Sequence, residues 1–214
     1  MLEFNVDKIT IPLKQHVGGP CQPIVSVGDH VKRGQLVATP NGLGANIHTS
    51  LSGVVESVDE MNIVVKLDKE QSDDYVKLEP TDDHLQRIKD AGIVGVGGAG
   101  FPTGIKLSAQ IPGGYVIANA AECEPVLGHN VRYMEEHPEE LVRGLKHILK
   151  LTGAKEGYIA IKTKYRKALL ALGKVCKNEP NISIKILPNM YPAGDERVIV
   201  RETLGVVLKP GQLP

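Results

Sequence analysis

The feature that most limits how this chain can fold is an alternation of strand and helix patterns between positions 114 and 205. Tyr115-Val116-Ile117-Ala118-Asn119 is an apolar run of strand length. A helical pattern follows over 136–151, with Pro138 in its first turn, an apolar stripe of Leu141, Leu145, Ile148 and Leu149, and Gly153 just past its end. Tyr158-Ile159-Ala160-Ile161 reads as a second strand, 167–177 as a second helix, 182–187 as a third strand, and 194–204 as a third helix stopped by Gly205. A helical crossover returns the chain to the edge where it started, so strands joined this way pair in parallel. The expectation is an α/β domain with a parallel sheet and helices packed on its faces.

Open sheets of this kind take ligands beyond the carboxyl ends of their strands. The three exits are Asn119-Ala120-Ala121-Glu122-Cys123-Glu124-Pro125, Lys162-Thr163-Lys164-Tyr165, and Asn189-Met190-Tyr191-Pro192-Ala193-Gly194-Asp195-Glu196. All three are polar and carry Asn, Tyr or paired acids, which favours a ligand site at one sheet edge. Carboxylates accept hydrogen bonds from diols and ring N–H groups and repel phosphates. Glu122, Glu124, Asp195 and Glu196 therefore suit ribose hydroxyls or a flavin edge. They suit equally a solvated loop or, for the last two, the positive end of a helix. Cys123 reads most simply as a small buried residue.

Upstream lies Gly95-Val96-Gly97-Gly98-Ala99-Gly100-Phe101-Pro102-Thr103, with Lys106 one helical turn further on. Glycines this dense cost conformational entropy unless the backbone must turn tightly or approach a ligand. An ordinary tight turn and a phosphate cradle of N–H groups plus Lys106 both fit. The stretch is not a dinucleotide fingerprint. It follows a helical pattern, which Thr81-Asp82-Asp83 caps, Leu85 and Ile88 face, and Ala91-Gly92 ends. The GxxxxGK[ST] phosphate loop is also absent.

The first 14 residues read as a lead-in. After them come short strand patterns at Pro23-Ile24-Val25-Ser26-Val27 and Gln35-Leu36-Val37-Ala38, then over 47–58 and 62–67, with turns at Gly28-Asp29, Ser52-Gly53 and Asp59-Glu60. This predicts a small β sandwich or barrel. The phrase running from Val27-Gly28-Asp29 to Gly34-Gln35-Leu36-Val37-Ala38, followed by Ser52-Gly53-Val54-Val55, resembles a biotinyl/lipoyl-type domain. Carriers of that type bear a lysine between these two phrases, and positions 39–50 contain none. The expectation is a retained fold without the carrier function. A charged, aperiodic stretch beginning at Asp68-Lys69-Glu70 suggests a linker. The expected organisation is a lipoyl-like β module at 1–70, a linker at 71–84 and an α/β domain at 85–214.

Composition narrows the function. Lys plus Arg and Asp plus Glu each number 25, so no charge excess draws the chain to nucleic acid or an anionic membrane surface. No apolar run is long enough to span a bilayer, and the N-terminus lacks a signal-peptide layout, so a cytoplasmic protein is expected. Cys21, Cys123 and Cys176 stand far apart, none in a CxxC, and the seven histidines are scattered, so no metal or cluster site is expected within this sequence.

With these motifs in place, a family resemblance emerges. Residues 95–106 resemble the flavin-binding signature of the NADH-oxidising flavoprotein subunit of respiratory complex I, and residues 119–125 resemble that subunit's second motif. The C subunit of the Rnf electron-transport complex also shares the lipoyl-like module. Tyr191-Pro192-Ala193-Gly194-Asp195-Glu196 is more like the soluble members of the group, the cobalamin reductases and above all the proline-reductase-associated electron-transfer proteins.

The resemblance implies FMN with NADH as donor, and an electron-transfer flavoprotein module that feeds iron–sulfur centres and a redox partner, either a reductase or Rnf-type subunits. The flavin would carry the chemistry, with no catalytic side chain. By this resemblance Gly95, Gly97, Gly98, Gly100 and Lys106 hold the FMN phosphate and flank. Asn119, Glu122 and Glu124 contact the ribityl chain or ring, Phe101 stacks on the dinucleotide, and Tyr165, Gly194, Asp195 and Glu196 line the NADH side.

Two departures stand out. Val96 replaces an arginine of complex I, and Ala121 replaces an aspartate. They keep open an alternative, a flavin relay or docking scaffold that does not itself oxidise NADH. Relatives continue past the position of Pro214 with the rest of the flavin pocket, a β-grasp module and a cysteine-rich iron–sulfur domain. The expectation is therefore a truncated domain that binds FMN poorly by itself, in a cytoplasmic protein for which the resemblance leaves open peripheral association with the inner face of the cell membrane.

Overall fold

Period-two alternation organises the first half of the chain from its start. In the computed structural model, which describes residues 6–95, 100–124, 126–212 and 214, the earliest strand is β1 (Lys8–Pro12). It is followed by β2 (Gln22–Pro23), β3 (His30–Val31), β4 (Leu36–Thr39), β5 (Ile47–His48), β6 (Gly53–Val58) and β7 (Asn62–Leu67). One sheet has the order β1-β7-β6-β3, the other β2-β4-β5, and all pairs are antiparallel. Ile11, Val31, Val55, Ile63 and Val65 from the first sheet meet Val37, Ala38 and Ile47 from the second in one apolar core. This is a barrel-sandwich hybrid. A bulge between Val55 and Ser57 bends β6 against β7.

Two expectations are corrected here. The lead-in is not loose: Ile9 and Ile11 alternate with polar residues, and Lys8–Pro12 forms the edge strand on β7, with Ile11 opposite Ile63. The strand expected at 23–27 shrinks to Gln22–Pro23. The Asp29 carboxylate takes the Ser26 N–H at 2.7 Å, and this local turn removes Ser26 from any ladder.

The charged stretch after β7 has no regular element, but backbone bonds tie it down. Val76 N–H donates to Arg33 O at 2.8 Å, and the Gln71 amide bridges Ser52 O and Asp68 O. Next comes α1 (His84–Asp90), capped by Asp83, whose carboxylate accepts the Gln86 N–H at 3.0 Å. The one-turn α2 (Thr103–Lys106) starts after Pro102. Residues Met1–Ala109 make one compact unit and Gln110–Pro214 a second.

The second unit contains β8 (Tyr115–Ala120), α3 (His129–Glu136), α4 (Pro138–Thr152), β9 (Glu156–Lys162), α5 (Arg166–Cys176), β10 (Ile182–Leu187) and α6 (Glu196–Leu204). Its sheet is parallel throughout, in the order β10-β9-β8. Central β9 is covered on both faces. Ile159 and Ile161 pack with Met134, Val142, Leu145, Ala168 and Leu172 of α3, α4 and α5. Ala160, between them, packs on the other face with Leu187, Ala193 and Ile199. Its small side chain suits the close approach of α6.

In place of the single helix expected from 136, the structure has α3 and α4. The chain has two helices there, because Pro138 bars the residue before it from helical geometry, and His137 sits at φ −134°. The last helix begins at Glu196 instead of 194, since Asp195 is its cap.

Candidate functional site

The three strand exits of the second unit meet, and a small set of hydrogen bonds joins them. At the end of β8 the Asn119 side chain works in both directions. Its amide donates to Gly194 O at 2.9 Å, and its carbonyl accepts the Ala121 N–H at 3.1 Å. Gly194 in turn donates its N–H to the Cys123 sulfur at 3.2 Å. Lys162 ends β9 with only 4% of its surface exposed, and its Nζ donates to Glu122 O at 3.1 Å and to Cys123 Sγ at 3.2 Å. The Tyr165 hydroxyl donates to the same Glu122 carbonyl at 3.1 Å. The loop after β8 is thus held from below by β9 and from the side by the turn after β10.

Gly194 is required by space. A Cβ there would lie 2.7 Å from both Ala121 O and Cys123 Sγ, closer than a carbon can approach either. Ala121 itself is buried at 5% exposure.

The carboxylates turn out to have local work. Glu122 accepts from Asn130 Nδ2 at 2.8 Å and from the Glu124 N–H at 3.1 Å. Burial pushes the Glu122 carboxyl upward, but the Asn130 amide, the Glu124 N–H, nearby His129 and the Cys123 N–H together outweigh it and leave the group below its ordinary value of 4.5. The unfolded chain therefore holds this proton more tightly than the folded one. The stabilisation is present in full above pH 4.5 and is lost as pH falls through the lower folded value. Glu122→Gln is expected to flatten the acid limb of the stability curve, as read from urea melts between about pH 3 and about pH 6. An unchanged acid limb would show that the loop carboxyl carries no such linkage.

Glu124 is exposed beside Glu122. Asp195 caps α6, accepting from Arg197 N at 3.0 Å and Val198 N at 3.2 Å, and Glu196 lies in the first turn of that helix. Around this edge Asn119, Glu124, Tyr191, Asp195 and Glu196 are exposed, and Tyr165 is half-buried. A carboxylate has about four lone-pair sites, so Glu122 and Asp195 keep acceptor capacity beyond these internal bonds. Acids with spare lone pairs, beside an amide and phenols, fit polyol hydroxyls and ring N–H groups, and their negative charge repels a phosphate.

The glycine stretch belongs to the first unit. Gly95 N–H donates to Phe101 O at 3.0 Å, and Val94 bridges Pro102, so the loop is closed at its neck. Gly100 has φ +67°, the left-handed region that glycine adopts without cost. Phe101 is 40% exposed, and Lys106 ends α2 on the surface. Val96, Gly97 and Gly98, and Pro125 of the β8 exit, lie outside the described residues.

Sequence reasoning missed Lys162 as a site residue. The available signal was a lysine closing an otherwise apolar strand buried on both faces. Cys123 is half-buried and receives two N–H donors instead of simply filling space. Among the described residues no group of three or more His, Cys, Asp or Glu is arranged to hold a metal ion, and no helix is long and apolar enough to cross a membrane.

Comparison with known proteins defines the class. Residues 88–214 match the Nuo51 FMN-binding domain, and residues 4–76 match the RnfC barrel sandwich hybrid domain. The chain belongs to the RnfC family of electron-transfer flavoprotein modules, built on a Nuo51-type FMN-binding domain. Among its relatives is the C subunit of the proton-translocating ferredoxin:NAD(+) oxidoreductase complex of Clostridium ljungdahlii, 34% identical over 97% of this chain and 50% of that one. The C subunit of the Na(+)-translocating ferredoxin:NAD(+) oxidoreductase complex of Acetobacterium woodii is 35% identical over 97% of this chain and 51% of its own length. The cobalamin reductase PduS of Salmonella typhimurium is 43% identical over 62% of this chain and 29% of that protein. The chain spans about half the length of the first two relatives.

Proposed function

We propose that this chain is the FMN-holding part of an oxidoreductase that takes electrons from NADH and hands them to iron–sulfur centres and a redox partner, either a reductase or Rnf-type subunits. One observation carries the reading: the three strand exits converge on the 121–124 loop, with the acceptor-rich groups expected from the resemblance at one edge of the sheet. The relatives described above give no support for a proline-reductase partner in particular. In sequence terms the division is a lipoyl-like module at 1–70, a linker at 71–84 and an FMN/NADH domain at 85–214, whose first segment packs within the β module's compact unit.

The side chains divide the work by charge. The N–H groups of the Gly95–Gly100 stretch and Lys106 suit the FMN phosphate. Asn119, Glu122 and Glu124 suit ribityl hydroxyls and the ring edge, and Phe101, Tyr165, Gly194, Asp195 and Glu196 suit the dinucleotide side. Bound FMN would supply hydride acceptance and one-electron release, which no side chain here provides. The protein's contribution is orientation. Lys162 and Tyr165 fix the Glu122 carbonyl, and Asn119 fixes the turn at Gly194, so the acceptors are positioned before any ligand arrives. The test is FMN titration followed by flavin fluorescence, then anaerobic NADH addition to the full-length protein. Quenching with stoichiometric FMN and bleaching by NADH are expected. A flavin that never binds would end this reading.

Buried Ala121 favours a second reading. By the resemblance it stands where complex I has an aspartate, so the β8 exit carries a buried methyl group at that point instead of an acid. Under that reading the module relays electrons through FMN from a protein donor, and it binds FMN without being bleached by NADH.

A further inference from the structure

Resting on the reading of the glycine stretch as the FMN phosphate side, we propose that the barrel-sandwich module, which has no carrier lysine at 39–50, is the foundation on which the two ends of that stretch, Gly92–Gly95 and Gly100–Phe101, are mounted, with His16 and Asn46 as positioning residues. Two seams join the loop to the module within the first unit. On the exit side, Val17 N–H donates to Gly100 O at 3.2 Å. Gly100 lies so close that a Cβ on it would be 3.2 Å from Gln15 O and from His16 Cα. On the entry side, Asn46 Nδ2 donates to Asp90 O at 3.3 Å, and a Cβ on Gly92 would fall 2.1 Å from Asn46 O. The loop neck at Gly95 and Phe101 lies between these two attachments.

The exit-side seam is itself fixed by a buried polar pair. His16 is 6% exposed, Nε2 lies 3.3 Å from Cys21 Sγ, and Nδ1 lies 3.1 Å from Val17 O. Cys21 donates its thiol proton toward Ala45 O at 3.3 Å. Gly44 leaves the imidazole its space, since a Cβ there would be 2.7 Å from Cε1. With the thiol proton committed to Ala45 O, the neutral imidazole donates from one nitrogen, to Cys21 Sγ or to Val17 O, and its packing in a 6% exposed site against Gly44 restrains the ring, so residues 15–17 present the Val17 N–H in one direction. A loop rich in glycine has the most backbone entropy to lose on binding, and a rigid mount lowers that cost in advance. This gives the module a task that needs no carrier lysine.

The experiment has two readouts on the 1–214 chain. The first is amide hydrogen exchange without ligand. The Val17 and Gly95 amides are expected to be protected in the wild-type protein. His16→Ala and Asn46→Ala should each raise their exchange about tenfold or more while the amides of β6 and β7 stay protected. The second is FMN titration, in which both variants are expected to bind about tenfold more weakly and His16→Gln, which keeps a donor near Cys21, to recover part of the loss. Should His16→Ala loosen β6 and β7 as well, Asn46→Ala and Gly100→Ala carry the test. Unchanged exchange at Val17 and Gly95 in folded variants would overturn the proposal, as would unchanged FMN affinity. If the wild-type chain binds no FMN but the exchange pattern changes as expected, the flavin reading fails and the foundation stands.

Discussion

Gly194→Ala is expected to weaken flavin binding by more than about tenfold. The added methyl would stand 2.7 Å from the Ala121 carbonyl and from the Cys123 sulfur, so either the turn or the β8 exit must move. Both neighbours are themselves pinned, one through Asn119 and the other through Lys162, and the shift cannot be absorbed at a flexible side-chain tip. Overpacking of this kind costs about 1–3 kcal/mol. For a chain of this size that lowers the melting temperature by about 2–4 °C for each kcal/mol. The larger effect falls on binding, because the Asn119–Gly194 bond and the Gly194–Cys123 bond are both lost from the ligand edge. A loss of more than about tenfold in FMN affinity corresponds to only about 1.4 kcal/mol, well within that strain. Calorimetry and flavin titration on the same preparation separate the two effects. Wild-type affinity in the alanine variant would show that the turn plays no part in the site.

Lys162→Met is expected to split stability from binding more sharply. The ammonium is buried, and the two acceptors that receive it are a carbonyl and a sulfur, neither of them a carboxylate. Its removal takes one of two donors from each acceptor, since Tyr165 still bonds the carbonyl and Gly194 the sulfur, at a cost of about 1.5–3 kcal/mol for a lost charged hydrogen bond. It also removes the penalty of holding a charge away from water, which amounts to several kcal/mol. The opposing effects are of similar size, so the melting temperature should move little or rise. The 121–124 loop nevertheless loses one of the two bonds that fix the Glu122 carbonyl and its tie from Cys123 to β9, and FMN affinity should fall by about tenfold or more. A purely structural lysine would give the reverse result, a large drop in melting temperature with binding intact in the folded fraction.

Much of the second unit could be read before any coordinates, because its information is local. Strand lengths, the Pro138 start and the Gly205 stop are written in neighbouring residues, and parallel pairing follows from the intervening helices. Convergence of the three exits also followed, since parallel strands end at the same edge. What escaped depends on partners distant in sequence or on competition between equal local signals. The edge strand Lys8–Pro12 exists because β7, far along the chain, offers it an edge. Helix α3 has only Val131 and Met134 as an apolar face, too short a stripe to separate from α4 without weighing the restriction Pro138 places on His137. Asp195 was ambiguous for a chemical reason: a helix cap and a diol ligand call for the same carboxylate at the same place. Lys162 stayed hidden because a lysine at a strand end normally reaches solvent. Only the fold shows that this one turns inward.

Arg197 has a mechanical consequence. From the first turn of α6 its guanidinium donates to the carbonyls of Leu208, Lys209 and Gln212. Two residues earlier stands Asp195, and before it Gly194, whose carbonyl and N–H are bonded to Asn119 and Cys123 at the strand exits. A tug on the 208–212 segment therefore passes through one side chain into the helix and on to the turn at Gly194. Tension there would reach the β8 exit with no element of the sheet having to move.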